Sequence, residues 1–274
     1  MDIRDVHFNV NDYPGSLSLP VNIFDGLIFQ QKALLEHYQK IEKLPLYPIN
    51  IHTKEGQALI KDFSARIIEE LGEAMESYYL AAHKIRHGHS PKVAHNDIIN
   101  FNEELADALH FFLELLIYSD ILHFKPFILR KLESMGIQNI SFLSSDPITS
   151  LYQVAEKELS GLREDTKVLK IKIPLDYLNL MPGGNSFSDK FTIRMERNLW
   201  KITYNLQLAR NTLKNKPWKQ TELLTDQELY MLYISEAFYS LILFFLRVGI
   251  NPWPLFIIYS LKNKVNSFRI RSNY

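Results

Sequence analysis

The sequence predicts an all-α fold, a helical bundle, and three observations carry that expectation. Apolar residues recur at three- and four-residue intervals over most of the chain, the period of a helix buried along one side. Alternating runs of strand type are scarce. Asn251-Pro252 has the form of an N-cap followed by a first-turn proline, which opens a helix rather than breaking one.

In order, the periodicity predicts helices near 24–43, 56–86 and 96–119, and a shorter one near 123–134. QNISFLSSDPITS, residues 138–150, is polar and turn-rich and reads as a linker. Helical patterning resumes near 150–166. KIKIPLDYLNLMPGGNSFSD, 170–189, reads as an irregular loop around Pro182, Gly183 and Gly184. Three more helices are expected near 190–214, 226–248 and 252–269. The greasiest run, AFYSLILFFL at 237–246, is bracketed by Glu236 and Arg247 and is too short to span a bilayer, so a buried helix is expected.

The expectation is a single domain, 1–274, with a faint internal repeat. Setting Asp107 against Glu236 places DALHFF over EAFYSL and Glu104 over Tyr233. The halves would cover about 20–135, with most of the carboxylates, and about 150–274, with the basic tail.

Composition limits the partners. Basic and acidic side chains number 31 each, so no electrostatic footprint for nucleic acid or an anionic membrane is expected. With no cysteine, disulfides, thiolate zinc sites and a Cys nucleophile are excluded, which fits a reducing cytoplasm. MDIRDVHFNVND lacks the basic flank and apolar core of a signal peptide.

The chemistry-bearing residues lie on the second and third helices. In RIIEELGEAMESYYL, 66–80, Glu69, Glu73 and Glu76 share a narrow sector opposite Ile67, Leu71, Ala74 and Tyr78, and Glu70 sits at its border. In EELADALHFFLELL, 103–116, Glu104 falls on the apolar stripe with Ala108, Phe111 and Leu115. A buried carboxylate needs a proton, a partner or a metal. Asp107 lies one turn on, so both can point at one place. Converging carboxylates with no thiolate favour Mg²⁺, or Mn²⁺. Glutamates opposite an apolar face are usually only a solvated surface, and Glu104 is what departs from that. Asp107 and His110 also have the DxxH spacing of a carboxylate-bridged di-iron site, although a second ExxH helix is missing. In YSLKNKVNSFRIRSNY, 259–274, Lys262, Asn266 and Arg269 fall along one helix face with Asn263 beside them. Two cations and two amides there could clamp phosphates, although a solvated basic helix end gives the same pattern, since Lys and Arg favour helix C-termini.

EELGE at 69–73 followed by ELAD at 104–107 resembles the EExxE…ExxD pattern of the all-α nucleoside triphosphate pyrophosphatases. LKNKVNSFRIRSNY resembles the tail of the dimeric dUTPases and of the phage dCTP/dUTP pyrophosphatases, and IFQQKALL, 28–35, is similar to their first motif. The tail departs from theirs at Ile270, Arg271 and Asn273. The resemblance implies an all-α bundle of the dimeric dUTPase-like type. It implies Mg²⁺ on Glu70, Glu73, Glu104 and Asp107, which would also be the catalytic carboxylates. It implies nucleotide contacts from Gln31 (or Gln30), His110, Lys262, Asn263, Asn266, Arg269 and Tyr274. The implied activity is Mg²⁺-dependent hydrolysis of a pyrimidine deoxynucleoside triphosphate, dUTP first and dCTP second, by a homodimer or a pseudo-dimeric monomer. The alternative from another class is a non-catalytic helical scaffold or nucleotide sensor that keeps part of such a site.

Overall fold

The computed structural model describes residues 20, 22–90, 92–160, 189–213 and 225–272. Among these, every regular element is a helix. They are α1 (Ile23–Glu42), α2 (Lys54–Arg86), α3 (His95–Tyr118), α4 (Lys125–Ser134), α5 (Pro147–Ser160), α6 (Asp189–Thr212), α7 (Gln227–Arg247) and α8 (Pro252–Arg271). The irregular loop expected at 170–189 lies almost wholly outside the described residues.

Local chemistry sets the starts. The Asn22 side chain accepts from Asp25 N–H, that of Thr53 from Gly56 N–H, and that of Asp226 from Leu229 N–H. Each satisfies a donor that the helix itself cannot. The stretch expected as a linker holds another cap. Asp146 accepts from Thr149 N–H and, through its other oxygen, from Phe24 N–H, so one buried carboxylate caps α5 and the first turn of α1. Asp146-Pro147 therefore starts α5 three residues before the apolar period alone places it.

Gly56 is required by a close approach. A Cβ there would lie 2.3 Å from the Asn50 carbonyl oxygen, which cannot withdraw because Thr53 N–H bonds to it. Gly56→Ala is expected to destabilise the protein by about 1–3 kcal/mol although alanine is the better helix former. Urea unfolding of the variant checks this, and a stabilised protein would refute the clash.

Burial follows the apolar stripes. α2 packs along α3, and α6 along α7. α3 and α7 are buried over most of their circumference and form the centre. Phe101, Phe112, Phe124, Phe238 and Phe244 interlock there at ring separations of 5.2–6.4 Å. α7 is long and apolar enough to cross a bilayer, but 72% of its most apolar window is buried inside the protein, the burial of a core helix. The outer helices cross over: α1 packs on α3 and α8, and α5 on α7 and α4. α1 also meets α5, and α2 meets α6.

Candidate metal centre and adjoining cavity

α2 and α3 bring Glu70, Glu104 and Asp107 together, with one ligand oxygen from each lying within 4.8 Å of the others. All three side chains are half-buried. Glu69, Glu73 and Glu76 stay on the exposed face of α2. Glu70, at the border of the acidic sector, is the one that turns inward. The four-carboxylate centre that the resemblance implies is therefore a group of three, with Glu73 outside it.

A lysine from the last helix stands on this group. Lys262 Nζ lies 2.7 Å from Asp107 Oδ2 and 3.8 Å from Glu103 Oε2, and it is only 5% exposed. Burial pushes the Glu70 carboxyl up to about 8, helped by the charges of Asp107, Glu104 and Glu73 and by its hydrogen bond to Glu104. Burial and Asp107 also raise Glu104, against the pull of Lys262. Asp107 is raised by burial, and Lys262 and Arg269 offset this only in part. Oxygen donors alone, with charge left over, suit a hard divalent cation. The donor set thus fits such an ion.

A cavity of roughly 180 Å³ opens beside the carboxylates, lined among others by Tyr38, Glu70, Asp107, His110, Glu114 and Asn266. Two of its lining residues, His110 and Glu114, belong to a buried hydrogen-bond chain. Gln31 Nε2 donates to Glu114 Oε1 at 3.0 Å, and Gln31 Oε1 accepts from His110 Nδ1 at 2.8 Å and from the Tyr259 hydroxyl. Because Gln31 Oε1 can only accept, His110 carries its proton on Nδ1. The other ring nitrogen, Nε2, is buried and makes no hydrogen bond. Burial and the Lys262 charge hold the imidazole down at about 3, so the ring is neutral, and its face stacks on Tyr259 at 4.2 Å. Burial pushes Glu114 up to about 8, against the pull of Arg66. At neutral pH the cavity wall then offers a neutral imidazole and a protonated carboxyl.

The other expected residues fall nearby. Gln30 faces α8, donating to Ser260 Oγ at 3.0 Å, and Asn263 donates to the Gln30 carbonyl at 3.3 Å. Arg269 lowers Asp107 electrostatically while its own Nε is buried without a partner. Tyr274 lies outside the described residues. Among the described residues His110 is not one of the grouped ligands, so its DxxH spacing with Asp107 does not build the histidine-ligated centre that the di-iron alternative needs. Sequence reasoning missed Glu114 and Tyr259. For Glu114 a signal existed, a carboxylate inside FFLELL.

No family model, curated protein or solved structure matches the chain. This corrects the expectation of a bundle of the dimeric dUTPase-like type, because the described residues form a strand-free eight-helix bundle that matches no known one. It also corrects the expectation of a dUTP/dCTP pyrophosphatase. That activity rested on the resemblance and its four-carboxylate magnesium centre, and the structure gathers three carboxylates with a lysine already on one of them.

Proposed function

We propose that the protein is a non-catalytic helical scaffold that takes up one divalent cation, Mg²⁺ or Mn²⁺, at Glu70, Glu104 and Asp107. The observation that carries this is the Lys262–Asp107 contact at 2.7 Å inside the carboxylate group. The ammonium pairs with Asp107 Oδ2 and offsets part of the carboxylate charge without an ion, so a cation would take the other Asp107 oxygen and meet a partly neutralised group. What is left is a site with room for a cation as a structural or regulatory ligand. The cation would tie α2 to α3 directly beside the cavity.

The crossed packing supports a pseudo-dimeric monomer of two related halves. Each half is an outer helix, a long hairpin and a fourth helix, and α8 and α4 each pack on the other half's outer helix. Lys131 of α4 meets Glu236 of α7 at 2.8 Å, as Lys262 of α8 meets Asp107 of α3 at 2.7 Å. Those two acids are the pair that the sequence repeat aligns. The solution mass should be that of one chain, and a dimer mass by sedimentation equilibrium would overturn this part.

The test of the main reading is metal-dependent melting together with a hydrolysis assay. Mg²⁺ at a hundredfold excess over its dissociation constant should stabilise the protein by about 2.7 kcal/mol. Glu104→Gln should abolish that shift. A panel of nucleoside triphosphates should release no pyrophosphate or phosphate. Hydrolysis that needs both Mg²⁺ and Glu104 would overturn the non-catalytic reading, and absence of any metal shift would overturn the cation site.

A further inference from the structure

The C-terminal turn of α2 carries three histidines in the stretch HKIRHGH, residues 83–89. They lie outside the acidic centre and the cavity. The helix ends in a Schellman turn: Gly88 takes φ +80°, its N–H bonds to the Ile85 carbonyl, and His89 N–H bonds to the Lys84 carbonyl, each at 3.0 Å. Glycine at 88 makes that left-handed turn inexpensive.

The turn orders the imidazoles as well as the backbone. His87 Nδ1 lies 2.8 Å from the His83 carbonyl, and His89 Nδ1 lies 3.0 Å from the Lys84 carbonyl. A carbonyl only accepts, so both Nδ1 atoms are donors. In the neutral rings the lone pair is then on Nε2. A histidine that donates one ring N–H to a backbone carbonyl and keeps the other nitrogen free has the arrangement found in metal ligands, where the carbonyl fixes the tautomer and orients the ring. His83 stands one turn before His87, and their rings stack with centroids 4.1 Å apart. All three side chains are exposed.

We infer that His83 and His87 form a surface chelate for a borderline divalent transition cation, Zn²⁺ or Cu²⁺. Residues four apart on a helix present their side chains to the same side. From their stacked arrangement the exposed rings would turn so that one nitrogen of each meets an ion at the usual bond length of about 2.0–2.1 Å, with water in the remaining positions. Imidazole prefers zinc and copper to magnesium, so this site and the carboxylate centre sort cations by ligand softness. The negative end of the α2 dipole adds a favourable field for a cation at this turn. The inference does not rest on the proposed scaffold function.

The experiment is calorimetric titration of the full chain with ZnCl₂ in excess Mg²⁺, with a Glu104→Gln variant run alongside so that any Zn²⁺ taken by the carboxylates is told apart. One saturable site is expected. His83→Ala and His87→Ala should each weaken it at least tenfold, and the double variant should abolish it. Both residues are exposed, so an unchanged metal-free melting temperature confirms that the variants fold. Absence of Zn²⁺ binding under these conditions would overturn the inference, as would binding that survives the double variant.

Discussion

Glu114→Gln is expected to remove the largest loss of stability that this protein suffers as pH rises toward 8.5. Glu114 is 6% exposed on α3, and burial raises its carboxyl to about 8 from the ordinary 4.5. A carboxyl raised on folding binds its proton more tightly in the folded state. Its contribution is therefore complete below the unfolded value and is lost as pH rises through the folded one. For a shift of this size the loss is about 5 kcal/mol at most, and roughly 2–4 kcal/mol of it falls between pH 5 and pH 8.5. Glutamine keeps an oxygen for the Gln31 amide, which now donates to Glu114 Oε1 at 3.0 Å, and it cannot ionise. Urea unfolding of both proteins at the two pH values measures the difference. The gap between the two proteins should be small at pH 5 and full at pH 8.5; His110, held down at about 3, stabilises both alike as pH rises through its unfolded value and cancels in the comparison. Parallel slopes would mean that Glu114 is not the group being titrated. Glu70 is raised in the same direction, but its partial exposure screens it, so it contributes less.

The carboxylates show which parts of the molecule were legible in advance. Helix positions follow from apolar period and caps, both local, and the described helix ends fall within a few residues of where the period puts them; the expected last turn of α5, 161–166, lies outside the described residues. Glu104 was legible because it breaks an apolar stripe. Its separation from Glu73 was not, because one α2 face carries four glutamates and only the packing angle against α3 decides which turns in. The same limit hides the Gln31–Glu114–His110–Tyr259 chain, which joins α1, α3 and α8 over 228 residues of sequence. Asp146 capping α1 across 122 residues is a third case. The residue types of the tail fit either a phosphate clamp or a solvated basic helix end. The structure spends Lys262 on Asp107 and Asn263 on α1, and no helical wheel predicts partners on other helices. The histidine spacing at the end of α2 was visible, but the turn that fixes the tautomers was not.

Lys262→Met is expected to make the fold depend on a divalent cation. Lys262 is the buried cation in contact with the acidic group, 2.7 Å from Asp107 and 3.8 Å from Glu103. Methionine fills a similar volume without charge. The variant would leave Asp107 half-buried against Glu104 and Glu70, opposed only by the more distant field of Arg269. Removing one partner of a buried pair costs about 3–5 kcal/mol, because the remaining charge is left uncompensated. A divalent ion on the three carboxylates supplies that compensation from the other side. Mg²⁺ or Mn²⁺ should therefore stabilise the variant more than it stabilises the wild type, and in saturating metal the two melting temperatures should converge. The comparison separates two accounts of the acidic cluster. If it is a cation site that Lys262 neutralises at rest, the ammonium and the metal ion are partial substitutes, and deleting one strengthens the response to the other. If the carboxylates and Lys262 are only an internal ion pair, the variant is destabilised and stays so in metal. Equal metal shifts in both proteins would sink the substitution argument.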